Sequence, residues 1–227
     1  MPRGASSPDV RRRLLEDVER DLADCAGTTG VAALSPAIAA ALLAVPREAF
    51  VPDDLRPLAW ENRPLPIGFG QTISQPTIVA LMTELLAVGP SARVLEVGTG
   101  SGYQAAILAQ VLPEGDVRTL EIIPELAAAA RDRLRNLGVA NVSFWTGNGR
   151  EGLPEQAPFA GILVTAVADE VPAALPGQLA PGGRLVLPLR DPDGSQWLTV
   201  VQQSPDGTWT NRRVLPVRFL PLTGASA

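Results

Sequence analysis

The stretch Val94-Leu95-Glu96-Val97-Gly98-Thr99-Gly100-Ser101-Gly102 decides the fold of this chain. Its first four residues are typical of a buried β-strand, and its last five form a glycine-rich turn that leads into a helix predicted over 102–111. Glycines let a backbone approach a ligand closely, and a helix N-terminus favours negative charge or hydrogen-bond acceptors. The stretch therefore predicts the first strand–turn–helix unit of a nucleotide-like cofactor site.

The alternation of strands and helices continues after this unit. Further strands are predicted at 116–121, 142–145, 160–165 and 184–189, with helices at 124–136 and 170–179. Such alternation predicts a three-layer, doubly wound α/β domain whose mostly parallel sheet is covered on both faces. Residues 196–202 and 208–214 flank Asp206-Gly207, which predicts an antiparallel hairpin at the end of the sheet.

The first 74 residues have a different character. Residues 1–10 are expected to be disordered, residues 11–24 to form an amphipathic helix, and Ser35-Pro36 to begin a helix that reaches Ala44. Prolines punctuate 46–74, which we expect to be mostly irregular and to form a lid. Pro76 then begins a helix that Gly89-Pro90 ends. We thus expect residues 1–74 to be a helical and lid region packed on a main domain of residues 75–227.

Composition excludes several classes of function. The chain has 227 residues, a formal net charge of −5 and a pI near 4.9, which argues against a nucleic-acid partner. Because there is no His and only Cys25, a Ser-His or Cys-His pair, a disulfide framework and a Cys- or His-based metal site are excluded. Val31 to Val45 is too short to span a bilayer. We expect a cytoplasmic monomer with no membrane partner and no metal.

The spacing of the glycine loop bears on the cofactor. A dinucleotide fingerprint needs G-x-G-x-x-G, but here the third glycine comes one residue early and Tyr103 takes the sixth position. Glu121, at the end of the next strand, can accept hydrogen bonds from both ribose hydroxyls. This pattern suits S-adenosylmethionine better than a nicotinamide cofactor. A nicotinamide enzyme, a non-catalytic nucleotide-cofactor-binding protein and a tight turn without a ligand stay open as alternatives.

A second loop, Gly70-Gln71-Thr72-Ile73-Ser74-Gln75-Pro76, leads into the helix that begins at Pro76. It is polar, and it resembles a site for an anionic substrate group because it precedes a helix N-terminus. Ser74 is either the N-cap of this helix or a hydrogen-bond donor to a substrate.

Together these segments resemble the protein-L-isoaspartate (D-aspartate) O-methyltransferases. The resemblance covers about residues 35–223. It lies in the order Val45–Val51, Ala59–Asn62, Leu65–Pro76, Met82–Leu86, Val94–Tyr103, Ala157–Phe159, Ile162–Thr165 and Val217–Leu222. It implies a methyl transfer from S-adenosylmethionine to the α-carboxylate of isoaspartyl residues in proteins or peptides. The ester then closes to a succinimide, whose hydrolysis returns some normal aspartate, so the reaction starts protein repair.

The resemblance also implies roles for individual residues. Ser74 matches the active-site serine, Glu121 the ribose partner, Asn148-Gly149 the adenine side, and Thr223 a C-terminal cofactor contact. Glu96 is either a partner of the methionyl amine, a residue that orders the loop, or a strand-end carboxylate satisfied by backbone. The remaining expected cofactor contacts lie at the two loops: Pro76, Thr77, Ile78, Val79, Gly98, Gly100 and Gly102.

This chemistry suits a chain without His. The nucleophile is the substrate's own carboxylate, which is ionised at pH 7, so no general base is required. The protein has to align the reacting atoms and exclude water. Ser74 is therefore expected to donate a hydrogen bond rather than to act as a nucleophile, with backbone N–H groups at the start of the 76–87 helix adding to it.

Four other side chains leave two interpretations each. Arg47 either meets a substrate carboxylate or pairs with Glu48 or Glu61. Trp60 and Phe69 either line a peptide groove or pack in the lid, and Tyr103 is expected to pack rather than to react.

Three positions depart from the family's pattern. Asn148 stands where Asp is usual, although its side-chain carbonyl still supplies an acceptor for the adenine amino group. Ala166-Val167-Ala168-Asp169 replaces a common Ala-Ala-Pro, and Ala160 replaces a common Asp. The last two leave open an alternative substrate, a dedicated ribosomal peptide that a carboxyl methyltransferase tailors.

Overall fold

The computed structural model describes residues 8–204 and 206–224 and is built around a seven-stranded sheet. Its strands are β3 (Arg93–Val97), β4 (Asp116–Glu121), β5 (Val142–Thr146), β6 (Phe159–Val164), β7 (Leu179–Arg190), β8 (Gln196–Gln203) and β9 (Trp209–Pro216). They lie in the order β5-β4-β3-β6-β7-β8-β9. Strands β3 to β7 are parallel, whereas β8 and β9 are antiparallel additions at one end.

Five helices and a small hairpin complete the fold. The helices are α1 (Pro8–Thr29), α2 (Pro36–Ala44), α3 (Pro76–Leu86), α4 (Tyr103–Val111) and α5 (Pro124–Asn136). The hairpin pairs β1 (Leu65–Gly68) with β2 (Gln71–Ile73). Short 3₁₀ helices occur at Arg47–Phe50, Asp53–Leu58, Pro154–Gln156 and Pro176–Gln178. The predicted doubly wound α/β class, with a parallel sheet and a C-terminal antiparallel hairpin, is confirmed.

Helix α1 is longer than predicted. Residues 8–10 are helical rather than disordered, and the helix continues past Gly27 to Thr29, while residues 1–7 lie outside the described part. Leu14, Val18 and Leu22 form its buried stripe, so packing outweighs the low helix propensity of one glycine in the last turn. The helix stops at Gly30, whose φ is +75°.

Three other predicted boundaries were wrong. The helix expected over 170–179 is only the 3₁₀ turn Pro176–Gln178, because Pro172 and Pro176 remove backbone donors there. The region 46–74 is less irregular than predicted, since it contains two of the 3₁₀ helices and the β1–β2 hairpin. Helix α3 ends at Leu86 rather than at Gly89-Pro90, because Ala87 turns the chain in the left-handed region with φ of 51°.

Two hydrophobic clusters hold the layers together. The larger one joins the buried stripe of α1 to helices α2, α3 and α4 and to Val94 of β3. The smaller one lies among β3, β6 and β7 and includes Leu95, Ile162 and Leu185. Because α1 and α2 contribute to the larger cluster, it supports our proposal that residues 1–74 pack on the main domain rather than fold apart.

Arg47 anchors the lid region from inside the protein. Its side chain is fully buried, Nε donates to the carbonyl of Ala59 at 2.8 Å, and Nη2 donates to the carbonyl of Arg63 at 3.0 Å. Its guanidinium carbon lies 4.9 Å from the centroid of the Tyr103 ring. The predicted pairing with Glu48 or Glu61 was wrong, since Arg47 meets no carboxylate within salt-bridge distance in the described part of the chain. Its full burial argues against contact with a substrate carboxylate.

Replacement of Arg47 tests this anchor. We expect Arg47→Ala to lower the free energy of unfolding by about 3 kcal/mol, because two carbonyls lose their buried donors and a cavity opens. Urea unfolding measures the change. The matched control is Arg56→Ala in the same region, whose exposed pair with Asp53 contributes less than about 1 kcal/mol. Equal stability of the two variants would contradict the role of Arg47.

None of the described helices is long and apolar enough to cross a membrane. Nor do the described residues contain a group of three or more Cys, Asp or Glu side chains placed to hold a metal ion.

Candidate active site

A cleft opens at the carboxyl ends of β3, β4 and β6. Strand β3 is the point where the sheet order reverses, because the chain proceeds from it to β4 and β5 and then returns to β6 on its other side. Ligands of open α/β sheets bind at such a point. Of the predicted site residues, the cleft is lined by Ser74, Val79, Gly98, Gly100, Glu121, Gly149 and Thr223.

Gly98 lets two strands close against each other. Its φ is +96°, and a Cβ atom there would lie 2.2 Å from Oγ1 of Thr165, the residue that follows β6. The Thr165 hydroxyl donates to the carbonyl of Gly98 at 2.7 Å. The sequence predicted Thr165 only as the end of a strand. In the structure it is part of the cleft wall.

The carboxylate of Glu121 is held by three backbone N–H groups. Oε2 accepts from Gly100 at 2.8 Å, and Oε1 accepts from Ile122 and Ile123 at 3.0 Å each. Such a carboxylate keeps a fixed orientation, and about one of its roughly four acceptor sites, on Oε2, is left for a further donor. It lies at the cleft, as the sequence predicted, and ties the glycine loop to the end of β4.

Glu96 lies beneath the loop and does not line the cleft. It is fully buried, and Oε2 accepts from the Thr119 hydroxyl at 2.5 Å, which is in turn 2.6 Å from the hydroxyl of Thr99. Burial raises the pKa of Glu96 to about 8; the hydrogen bond from Thr119 opposes this shift and the nearby charge of Glu121 adds to it. The arrangement favours the loop-ordering interpretation, because the Thr side chains connect Glu96 to Thr99 in the loop.

Gly102 has a packing role. Its φ is +87°, and a Cβ atom there would lie 2.8 Å from Leu134 and 3.2 Å from Ala130, both on α5. It does not line the cleft. A bulkier residue would push α5 away from the start of α4, which would displace the glycine loop indirectly.

Ser74 lies between two cavities. It lines the cleft together with Gln71, Thr72 and Thr165, and the same four residues line a second cavity of about 630 Å³, which we call the outer groove. The N-cap of α3 is Gln75 rather than Ser74, and it makes no side-chain cap bond. In the described part of the chain the Ser74 hydroxyl has no protein partner, so the N-cap interpretation is wrong.

The start of α3 is already satisfied by the protein. The N–H of Thr77 donates to Oδ1 of Asn62 at 3.1 Å, and those of Ile78 and Val79 donate to the carbonyl of Gln75. The expectation that these N–H groups hold the substrate carboxylate is therefore wrong in this structure. Thr77 and Ile78 line the outer groove, Pro76 is buried and lines neither cavity, and Val79 alone of the four faces the cleft.

Asn148 turns away from the cleft, whereas Gly149 lines it. The side-chain carbonyl of Asn148 accepts from the N–H of Arg150 at 3.0 Å, and its amide donates to Glu151 at 2.9 Å. The acceptor expected for an adenine amino group is thus engaged in a local turn. Gly149 packs closely, since a Cβ atom there would lie 2.4 Å from Val97.

The three aromatic residues considered from the sequence lie in different environments. Tyr103 is buried and packs edge-on against Phe50 with ring centroids 5.4 Å apart, as expected. Trp60 packs in the lid beneath Arg11 and lines neither the cleft nor the outer groove. Phe69 lies at the tip of the β1–β2 hairpin, 59% exposed and with φ of 53°, and it also lines neither cavity.

The buried Glu96 predicts a pH dependence of stability. Because the folded state raises its pKa from 4.5 to about 8, the protonated form stabilises the fold, and this contribution is lost as pH rises from 4.5 through 8. Gln resembles the protonated acid and does not titrate. We therefore compare the free energies of unfolding of Glu96→Gln and wild type. From pH 5 to pH 9 we expect the difference to change by more than about 1 kcal/mol in favour of Glu96→Gln.

Urea unfolding at pH 5, 7 and 9 provides the measurement. The control is Glu125→Gln, an exposed carboxylate in the first turn of α5, for which the difference from wild type stays constant. A constant difference for Glu96→Gln as well would contradict the raised pKa.

Comparison with known proteins agrees with this geometry. Residues 19–227 match the family model described as protein-L-isoaspartate(D-aspartate) O-methyltransferase. A protein-L-isoaspartate O-methyltransferase 2 of Syntrophobacter fumaroxidans is 49% identical over 215 residues, which cover 95% of this chain and 86% of that relative. A protein-L-isoaspartate O-methyltransferase 1 of an Anaeromyxobacter species is 55% identical over 192 residues, covering 84% and 90% of the two chains.

Two solved structures share the fold of this chain. One protein-L-isoaspartate O-methyltransferase has a TM-score of 0.82 at 30% identity, and the alignment covers 94% of this chain and 66% of that one. A Plasmodium falciparum structure described as a putative enzyme of this kind, in complex with S-adenosyl-L-homocysteine, shares the fold with a TM-score of 0.76 at 24% identity, over 94% and 98% of the two chains. The chain belongs to the protein-L-isoaspartate(D-aspartate) O-methyltransferase family.

Proposed function

We propose that this protein transfers the methyl group of S-adenosylmethionine to the α-carboxylate of L-isoaspartyl residues, with the cofactor in the cleft and the peptide in the outer groove. The observation that carries this assignment is the position of Ser74, on the wall that the two cavities share. A methyl donor and an acceptor have to meet at such a boundary, because transfer needs the nucleophile, the methyl carbon and the sulfur in line.

The cleft residues fit this cofactor. Glu121 offers a fixed carboxylate for the two ribose hydroxyls, and Gly98 and Gly100 bring the loop backbone close to the methionyl part. Gly149 and Thr223 lie on the wall proposed to meet the adenine. The three N–H groups fill about three of the roughly four acceptor sites of the Glu121 carboxylate, so one ribose hydroxyl has a free site on Oε2 and the second shares an oxygen with a backbone N–H.

Ser74 is proposed to orient the acceptor. Its hydroxyl is half-buried and makes no hydrogen bond within the described protein, so it is available to donate to a substrate carboxylate. The substrate carboxylate is ionised at neutral pH, and no base has to remove a proton. The enzyme lowers the barrier by fixing the rotation of the carboxylate and by excluding water from the junction of the two cavities.

Residues 166–169 depart from the sequence that is usual in the family, but backbone hydrogen bonds fix the path of the loop that they form. Val167 N–H donates to the carbonyl of Leu220, Leu222 N–H donates to that of Val167, and Ala168 pairs with β7 through Pro188 and Arg190. Ala166 lines the cleft beside Thr165. Because the backbone ties hold the loop, we propose that the usual isoaspartyl substrate is retained.

The reaction is tested directly with a matched pair of peptides. We expect methyl-labelled S-adenosylmethionine to transfer base-labile label to an isoaspartyl peptide and not to the same sequence with normal aspartate. Equal labelling of both peptides, or of neither, would overturn the proposed substrate.

Ser74→Ala tests the orienting role. Loss of one preorganised donor is expected to lower kcat on an isoaspartyl peptide on the order of 100-fold, while the Kd for S-adenosylhomocysteine changes little. The control is Ser35→Ala, since Ser35 occupies the N-cap of α2 without a side-chain cap bond. Wild-type turnover by Ser74→Ala would show that the hydroxyl has no such role.

Glu121→Gln tests the cofactor assignment. An amide replaces the charge and turns an NH₂ group toward a backbone N–H, so we expect the Kd for S-adenosylhomocysteine to rise about ten-fold or more. Calorimetry measures it, with Glu125→Gln as the control. An unchanged Kd would place the ribose elsewhere.

A further inference from the structure

The outer groove has walls of different charge. One wall is the last part of α1, with Asp21, Asp24 and Cys25, and the other is the segment 215–220, which includes Arg218. Ser74 lies at the inner end, where the groove joins the cleft. Its volume of about 630 Å³ is in the range of roughly 300–1,000 Å³ typical of ligand pockets.

The carboxylates of the α1 wall have no cationic partner in the described part of the chain. Oδ2 of Asp21 accepts from the Asn62 amide at 2.8 Å and from the Thr77 hydroxyl at 2.9 Å, and both donors are neutral. Asp24 is exposed and has neither a hydrogen bond nor an ion pair among the described residues. Two negative charges therefore face the groove at its α1 wall.

Charges on the neighbouring elements do not cancel this pair. Arg20 of α1 is bound to Asp17, and Arg212 of β9 donates to the carbonyl of Thr29 at the end of α1. Neither of these arginines lines the groove. Arg218 does line it, from the segment 215–220, where it is exposed and has no ion pair with a described residue. The groove is thus lined by two carboxylates of α1 and by one guanidinium of the segment 215–220, which form no ion pair with each other.

We propose that Asp21 and Asp24 make this groove select isoaspartyl peptides with a basic residue beside the isoaspartyl residue, on the side that faces α1. The proposal rests on the proposed function, since it assumes that the isoaspartyl carboxylate is at Ser74. Asp24 is a specificity-determining residue in this view, whereas Asp21 also positions the lid and the start of α3 through Asn62 and Thr77.

The expected preference is electrostatic and has a modest size. A Lys side chain on a peptide is attracted to the α1 wall, and a Glu side chain at the same position is repelled by it. For partly exposed charges this amounts to a several-fold difference in kcat/KM, and salt screens it over a Debye length of about 8 Å at physiological ionic strength. The effect has to shrink as salt concentration rises, unlike an effect of side-chain packing.

The experiment uses one isoaspartyl hexapeptide with Ala, Lys or Glu placed directly before or directly after the isoaspartyl residue. On one of the two sides we expect kcat/KM for Lys to exceed that for Glu about five-fold or more at 20 mM salt, and the ratio to fall toward one at 500 mM. A Lys-to-Glu ratio near one on both sides at low salt would overturn the proposal.

Substitutions of Asp24 test whether the preference for Lys over Glu peptides comes from the α1 wall. Because Asp24 is exposed and makes no hydrogen bond or ion pair with a described residue, its variants are expected to fold. Asp24→Asn should reduce the Lys-to-Glu ratio at least two-fold, and Asp24→Lys should bring it to one or below. The control, Glu19→Lys, makes the same charge change on the exposed face of α1 outside the groove and should leave the ratio unchanged. An equal ratio in wild type and Asp24→Lys would refute the role of Asp24.

The Ala peptide separates this inference from the proposed function. If wild type does not methylate the Ala peptide, the proposed function fails and the inference fails with it. If wild type methylates Ala, Lys and Glu peptides equally well, the function stands and the inference alone is wrong.

Cys25 reports where the peptide binds. It is the chain's only cysteine and lines the α1 wall beside Asp24. We expect the Lys peptide, with S-adenosylhomocysteine present, to slow alkylation of Cys25 by iodoacetamide at least three-fold, and the Glu peptide at the same concentration to slow it less. Equal alkylation with and without the Lys peptide would show that the peptide does not occupy this wall.

Discussion

The close approach of Gly98 and Thr165 is the constraint on which the site depends. A Cβ atom at position 98 would lie 2.2 Å from the Thr165 hydroxyl, so only glycine lets the loop after β3 lie against the end of β6. That hydroxyl also bonds the carbonyls of Val97 and Gly98. Thr165 then lines both the cofactor cleft and the outer groove. The relative position of the two cavities, which we propose to hold cofactor and peptide, thus depends on a contact between the Thr165 side chain and the backbone at Val97 and Gly98.

Two carboxylates near this contact have opposite environments. Glu96 is fully buried, and burial raises its pKa to about 8 because it disfavours the charged form, although hydrogen bonds from the Thr119 hydroxyl and the Ala105 backbone oppose this shift. Glu121 is held by three backbone N–H groups at the cleft wall. One carboxyl therefore serves the interior of the loop and the other lines the cleft, and the distinction comes from solvent access and from the number of backbone donors. Neither is needed as a base, which agrees with a chain that contains no His.

The N-terminal region contributes residues to the outer groove and to the start of α3, in addition to packing on the main domain. Asp21 of α1, Asn62 of the lid and Thr77 of α3 form one hydrogen-bonded group, and this group uses the free N–H at the start of α3. The same part of α1 forms a wall of the outer groove. Methyl transfer is proposed to depend on the ends of the parallel strands, whereas recognition of the peptide is proposed to depend on a helix that lies outside the sheet. These two properties can therefore vary separately.

The amino-acid sequence by itself determined the α/β class, the positions of most strands and helices, the glycine loop and the family. These features depend on local periodicity, on turn residues and on a specific order of short motifs. The sequence also indicated that Ser74 and Glu121 belong near the site. It did not identify the carbonyls that Arg47 binds or the bond from Thr77 to Asn62, because these partners lie 12 to 16 positions away, nor did it indicate the local turn at Asn148. The cofactor contacts expected of Thr77 and Asn148 stay predictions. Only the tertiary structure decided that Gly102 packs against α5, that Thr165 closes the cleft and that α1 forms a wall of the outer groove. Gly102 and Ala130 are 28 positions apart, Gly98 and Thr165 are 67 apart, and Asp24 and Arg218 of the outer groove are 194 apart, so their geometry follows from strand order and helix packing rather than from any local pattern.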